Sequence, residues 1–280
     1  TPSEYSLTAG YGTQLSEKLG IGLNLKYINS NLTGGFDVGD VKTRPGRTAA
    51  ADLSGYYKSD LVISGKPADL TIAATISNVG AKIAYTNSFD DNKDFLPANL
   101  KLGAALKSEL DEYQSITIAV DLNKYLVPSP PVYDYNQLDA NGNPKIVAGT
   151  DPKTKSVASG VFSSFTDAPG VPTNEFDENG EAIIVKGTKF KEEMQEIIYN
   201  VGMEYWYREI FALRAGYFHE SKYKGNRQFL TFGFGVKYQF TSIDVSYLTA
   251  LTQNNPLANT LRFSIGFNFD KTEDNPTPAL

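Results

Sequence analysis

Five stretches of period-two alternation stand back to back between Glu196 and Phe269, and they restrict this chain more than any other feature. In Leu230–Phe240 the even positions are Leu230, Phe232, Phe234, Val236, Tyr238 and Phe240, with Thr231, Gly233, Gly235, Lys237 and Gln239 between them. In Leu261–Phe269 the apolar set is Leu261, Phe263, Ile265, Phe267 and Phe269, interleaved with Arg262, Ser264, Gly266 and Asn268. Residues two apart share one face of a strand, so this period builds a sheet with two chemically distinct faces. A soluble antiparallel sheet, the alternative, would turn its bulky face inward. Here the polar face is Gly, Ser, Thr and single charges, while the other face is continuous Phe, Leu, Ile and Tyr. Small polar residues inside and bulky apolar ones outside predict an all-β, antiparallel, up-and-down transmembrane β-barrel.

The remaining composition is compatible with that reading. No run of eighteen apolar residues exists, which excludes helical membrane spans but leaves alternating strands untouched. A formal charge of −6 without a basic patch argues against nucleic acid as a partner. With no Cys, disulfide frameworks and thiolate metal sites are both absent.

The same alternation marks about eleven strands: 4–13, 18–30, 47–58, 68–78, 97–107, 114–125, 196–207, 209–220, 227–240, 241–250 and 259–270. The connections after the odd-numbered strands are mostly short: 14–19, 58–67, 108–113, 208–209 and the corner at Thr241. Those after the even-numbered strands are longer: 30–46, 79–96, 126–195, 221–226 and 251–258. One end of tight turns and one end of loops is the habit of outer-membrane barrels. Such barrels use an even number of strands with both ends in the periplasm. An odd count therefore gives the expectation that strands and a leader peptide precede Thr1. Residues 1–270 are read as the barrel, with 126–195 as a long extracellular loop and 271–280 as a tail of no assigned role.

The long loop opens with Pro128-Ser-Pro130-Pro131, which cannot join a central strand. It also holds a repeat. Asn136–Thr150 and Asn174–Thr188 are identical at eight of fifteen positions, and each centres on Asn-Gly, at Asn141-Gly142 and Asn179-Gly180. Asn-Gly is the strongest short signal for a type I′ hairpin, so two small β-hairpins are expected to project from the barrel mouth. Between the copies, Phe162 and Phe165 are candidates for exposure. Pro128, Pro130, Tyr133, Asn141, Gly142, Phe162, Phe165, Asn179 and Gly180 are the candidate partner-binding residues.

Catalytic and metal chemistry find little support. The Asp139–Asn143 and Asp177–Gly180 segments resemble calcium loops but lack the closing bidentate Glu, and a turn explains them better. His219 is the only histidine. Its neighbours Glu220 and Ser221 would need the right face of the strand to form a hydrolytic pair, and an interfacial role suits a lone aromatic-flanked His at a strand end better. No cofactor motif stands out. The inward face is expected to carry Lys26, Asp52, Lys101, Asp121, Glu204, Arg214, Lys237, Asp244 and Arg262. Their mixed signs point to mutual pairing rather than a selective ring. On that basis Arg214 and Lys237 should both tolerate Gln.

Several longer runs are similar to a known family. These are Asp91–Gly103, Asp121–Pro128, Val201–Tyr207, Phe211–Glu220, Lys224–Phe229 and Asn255–Phe263. They resemble the PorV (LptO) family, the FadL-like outer-membrane barrels of the Bacteroidetes type IX secretion system. The resemblance spans nearly the whole chain except the two hairpin repeats. It implies a fourteen-stranded barrel, of which three strands and the leader lie outside this sequence. It also implies a non-enzymatic role with three kinds of partner: a large translocon barrel, cargo bearing a C-terminal secretion domain, and the surface machinery that links cargo to lipopolysaccharide. Two other classes remain open. A FadL-type transporter of hydrophobic molecules would need a lateral opening or apolar pocket, and an outer-membrane enzyme would need a carboxylate cluster or second His at the mouth.

Overall fold

The computed structural model describes residues 1–37, 39, 42–86, 93–139, 142–176, 182–252 and 257–268, with only the backbone for 174–176 and 182. The wall strands are β1 (Ser3–Gln14), β2 (Leu19–Asn31), β3 (Gly46–Ile63) and β4 (Lys66–Gly80). A two-strand ribbon, β5 (Ile83–Ala84) with β6 (Lys93–Asp94), interrupts them before β7 (Asn99–Glu109) and β8 (Gln114–Tyr125). Two hairpins and two short helices follow: β9 (Val132–Leu138) with β10 (Pro144–Ala148), α1 (Val157–Ser163), β11 (Pro172–Phe176) with β12 (Ala182–Ile184), and α2 (Lys189–Gln195). The wall resumes with β13 (Ile198–Tyr207), β14 (Phe211–His219), β15 (Gln228–Tyr238), β16 (Thr241–Ala250) and β17 (Thr260–Phe267).

The eleven wall strands form one antiparallel sheet in which every strand pairs with the next wall strand along the chain. This is an up-and-down barrel wall, with β1 and β17 at its two edges. The connections at one end are 15–18, 64–65, 110–113, 208–210 and 239–240, and all the long ones lie at the other. The third strand runs five residues beyond the expected end at Lys58, because Ser64 and Gly65, both at positive φ, turn it directly into β4. Ser59 and Asp60 hid this from the alternation, since they break the apolar row just before the turn.

Among the described residues no second layer packs on the sheet. Among the described residues the large apolar side chains buried anywhere are Ile83, Leu96, Leu126 and Ile198, far too few for the core of a soluble domain of this size. The rows expected to face lipid are instead exposed, from Leu7, Leu23 and Leu53 through Ile118, Val201 and Leu213 to Phe234 and Phe263. In a bilayer this face is solvated by hydrocarbon, and the strands between the two edges pair their backbone polar groups within the sheet.

The opposite face carries glycine and charge. The strand registers place Lys26, Asp52, Lys101, Asp121, Glu204, Arg214, Lys237, Asp244 and Arg262 on it. Lys26 Nζ lies 2.8 Å from Asp52 Oδ2, which also accepts from Asn24, while the Asn78 amide donates to Asp52 Oδ1. Arg214 is held from both sides, its Nε by Glu204 Oε2 at 2.6 Å and its Nη1 by Asp244 Oδ1 at 2.5 Å, with Trp206 alongside. Gly235 makes this possible, because a Cβ there would sit 2.8 Å from Arg214 Nη1. Arg214 is therefore not interchangeable with Lys237. Removing its charge leaves two facing carboxylates without their shared cation.

Leu213→Arg or Phe234→Arg would place a cation in hydrocarbon at a cost of about 2–4 kcal/mol. Either substitution should abolish the compact barrel band in unheated membrane fractions. Lys237→Gln should leave that band intact, and Arg214→Gln should leave it intact but with a lower thermal midpoint. Equal assembly of the arginine and glutamine variants would show that the lipid-facing side is wrongly assigned.

Candidate docking surface at the loop end

The long connections fold together into a cap over one end of the wall. Leu126, fully buried, continues β8, and its amide donates to the Ala98 carbonyl at 2.7 Å. Lys82 Nζ donates to the carbonyls of Pro152 and Lys153, each at 3.2 Å, and lies over the Phe95 ring. Helix α1 starts at Ser156, whose hydroxyl accepts from the Ser159 amide, and its Gly160 faces Phe95 and Pro128. Asp167 gathers Lys155 Nζ at 2.6 Å, Ser163 Oγ at 2.8 Å and the Ser129 amide at 3.1 Å. Burial pushes its carboxyl up, but these donors outweigh burial and hold it below the usual range.

At the junction of cap and wall lies a five-member ionic cluster. Lys124, at the end of β8, reaches Glu196 at 2.6 Å and Glu193 at 3.1 Å. Lys224, between β14 and β15, reaches Glu192 at 2.6 Å and Glu196 at 3.0 Å. Ser129 Oγ donates to Glu196, and the amides of Ala168 and Gly170 donate to Glu193 and Glu192. Beside it, Arg227 binds Glu220 through two nitrogens. A cavity of about 530 Å³ opens against this cluster. Its walls include Pro128, Pro130, Pro169, Pro172, Tyr125 and Tyr223, with Glu192, Glu196 and Lys224 at one side. Proline offers no N–H, so these walls present hydrocarbon and carbonyls to a ligand rather than strand-pairing donors.

The structure thus brings Pro128 and Pro130 of the expected set into one cavity. Tyr133 sits on β9 with its ring 6.2 Å from that of Tyr135, and burial, then the nearby Asp151, pushes its hydroxyl pKa up. Gly142 lies in the first hairpin turn at φ +81, where Asp139 accepts from the Asn143 amide. Asn141, Asn179 and Gly180 lie outside the described residues. Phe162 is strongly exposed on α1 and Phe165 half-exposed just after it. His219 lies at the end of β14, stacked on Tyr199 at 4.5 Å and bonded to the Tyr217 hydroxyl through Nδ1 at 3.0 Å.

Sequence reading missed both helices and the cluster of Lys124, Glu192, Glu193, Glu196 and Lys224. The acidic run in Lys189-Phe-Lys-Glu-Glu-Met-Gln195, set between Thr188 and a strand expected from 196 that begins at Ile198, was the available signal. Nothing local announces the lysines, which come from distant parts of the chain.

The family model for the type IX secretion system protein PorV matches residues 1–132. No curated protein sequence matches the chain. Among solved structures, outer membrane phospholipase A from Escherichia coli is similar at 9% identity and TM-score 0.34, over 95% of this chain and 77% of that one. BamA from Haemophilus ducreyi lacking POTRA domains 1–3 is similar at 10% identity and TM-score 0.38, over 94% of this chain. The chain spans about half, 53%, of that BamA chain.

Two outcomes follow from the cap geometry. Burial pushes the Glu196 carboxyl up, but Lys124, Ser129 and Lys224 outweigh it and hold the group below its ordinary 4.5. Burial pushes Lys224 down, but Glu192 and Glu196 outweigh it and hold the ammonium above its ordinary 10.5. A depressed acid stabilises the fold above its unfolded pKa and loses that effect as pH falls through the folded value. A raised base stabilises below its unfolded pKa and loses the effect as pH rises through the folded value. Intrinsic-rate-corrected hydrogen exchange of 189–196 should therefore be flat from about pH 6 to 9 and accelerate on acidification below the ordinary carboxylate range. Separately, Gly160→Ala would gain about 1 kcal/mol of helix propensity on an open surface. Here its Cβ would meet the Phe95 ring at 2.5 Å, and overpacking costs about 1–3 kcal/mol. Gly160→Val should raise tryptic cleavage after Lys155 several-fold rather than protect the helix.

A strand wall with an exposed apolar face and the match over residues 1–132 together place the chain in the outer membrane, with its first 132 residues similar to the type IX secretion system protein PorV.

Proposed function

We propose that this protein is a non-enzymatic carrier component of type IX secretion. In this reading the cap at 126–197 lies at the cell surface, engages the translocon barrel and cargo with C-terminal secretion domains, and delivers cargo to the surface attachment complex. The observation that carries it is the exposure of large apolar side chains on a cap that is itself fixed to a rigid wall. Tyr135, Phe162 and Phe190 are each more than 70% exposed outside the wall strands. Such anchors on a rigid scaffold are what a protein partner buries at the centre of an interface. Small hairpin edges at β9–β10 and β11–β12 add the option of strand pairing with a partner. The charges on the inner face, with Lys26–Asp52 and Glu204–Arg214–Asp244 paired among themselves, support a structural interior rather than an ion path.

The proline-walled cavity favours a second reading, a FadL-type transporter of hydrophobic small molecules, since its size suits such a ligand. Replacing 136–188 by a short Gly/Ser linker, together with Tyr135→Ser and Phe190→Ser, removes both hairpins, α1 and all three exposed anchors but keeps the wall and Pro128. The barrel band should survive, and the translocon and C-terminal-domain cargo should no longer co-purify from native membranes. Undiminished co-purification would remove the docking role of the cap. Retention of an extractable lipid by the intact protein alone would move the balance to the transporter.

A further inference from the structure

Helix α2 is inside out. Its buried side chains are Glu192 and Glu193, at 8% and 6% exposure, while Phe190 stands 72% exposed and Met194 46%. A surface helix ordinarily buries its apolar stripe and shows its charges to water. This one does the reverse, and its fastening is correspondingly ionic. Two lysines from the wall side, Lys124 and Lys224, hold three carboxylates from the helix and its C-cap, Glu192, Glu193 and Glu196. The same carboxylates take the amides of Ala168 and Gly170 and the hydroxyl of Ser129. One seven-residue helix and its C-cap therefore staple two other segments of the cap, at Ser129 and at Ala168–Gly170, to two points on the rim.

The helix also forms part of the cavity wall. Glu192, Gln195 and Glu196 form one side of the proline cavity. Gly187, at φ +78 with open space around it, lies just before the Thr188 N-cap.

We propose that α2 is an ionic latch: a segment held on the barrel rim by Lys124 and Lys224 that swings away as a unit when those contacts are broken, opening the proline cavity without unfolding the wall. Buried ion pairs roughly break even against the hydration they give up, so the closed state is specified sharply but held by a small net free energy. Release returns charges to water. An apolar-fastened helix would instead release hydrocarbon into water, which costs about 25 cal/mol for each Å² exposed. Phe190 and Met194 are already outside in the closed state, ready for burial against an incoming apolar surface. The other charges packed at this junction, Glu220 and Arg227, are paired with each other and do not compete for the latch. With Glu196 held below and Lys224 above their ordinary ranges, neutral pH does not open it, and the opening agent is a competing contact.

The latch supplies a regulation for the docking surface and rests on that reading only for its use in secretion, so it is tested without a partner. The full chain in detergent is cleaved briefly with trypsin, and the bonds after Lys189 and Lys191 are followed by mass spectrometry. The paired variant Lys124→Met with Lys224→Met should raise cleavage there by about ten-fold or more, with barrel mobility on gels unchanged. Lys224→Arg, which keeps the charge, should stay near the parent rate. Unchanged cleavage in the paired variant would overturn the latch, because something else then fastens the helix. Loss of the barrel band would overturn it too, because the cluster would then belong to the wall. Hydrogen exchange on the unaltered protein gives an independent reading: α2 must open at a lower free energy than β8 and β13, and joint opening of all three would refute the proposal. An intact latch combined with undiminished partner binding after removal of 136–188 would sink the docking role and leave the latch standing.

Discussion

The absence of water beside hydrocarbon is the constraint from which the rest of this structure follows. A backbone N–H or C=O in the bilayer core has no external partner, so each must be paired within the sheet. The registers do this across ten strand interfaces, from Ser3↔Asn31 in the first to Thr241↔Phe267 in the last, leaving the outer edges of β1 and β17 without a strand partner among the described residues. Between them there is a single irregularity, at Ala51/Leu53. Once the backbone is satisfied, side-chain choice on each face follows its solvent. Phe, Leu and Ile remain on the outside because lipid is their solvent. Gly235 faces the inside where a Cβ would meet the Arg214 guanidinium, which lies between the carboxylates of Glu204 and Asp244.

The cap answers to a different solvent, and it is built differently. It cannot rely on hydrocarbon outside it, and it is too small to bury a large apolar core. What stabilises it is a set of charged and hydrogen-bonded nodes joined by proline-rich backbone: Asp167 with Lys155, Ser163 and Ser129, then Lys82 on two carbonyls, then the cluster around Glu196. Each node ties residues far apart in sequence, so the cap is ordered by its contacts with the rim rather than by its own local propensities. Short helices such as α1 and α2 would not persist alone in water.

This difference explains what the sequence could reveal. Period two survives in the wall because lipid and interior impose opposite preferences at every second residue, and strand positions and face assignments are legible from Leu19 to Phe267. Where one residue type serves both a strand and a turn, as at Ser59 and Asp60, the boundary slips. In the cap the hairpin strands announce themselves through Asn-Gly, yet the cluster does not. Lys124 reads as one more charge at a strand end, and Lys224 sits in a short connection whose sequence, Lys-Gly-Asn, suggests only a turn. Their meaning is set by the three-dimensional return of α2 to the rim, across separations of 69 and 32 residues. Pairings of that range leave no periodicity to find.

Wall and cap are nonetheless one mechanical object, because the wall's register decides where the lysines stand. Lys124 is opposite Leu100 on β7 and one residue beyond the last pair that β8 makes with β13, Asn123↔Ile198. A slip of one residue in β8 would turn it to the other face and away from Glu193 and Glu196. The family match ends at residue 132, where β9 begins, so the matched portion contains β1 to β8, Lys124 and the first prolines of the cavity. The hairpins, both helices and all three latch carboxylates lie beyond it. Of the five cluster residues, Lys124 alone is carried on a wall strand, while Lys224 stands in the connection between β14 and β15 and the three carboxylates come from α2 and its C-cap.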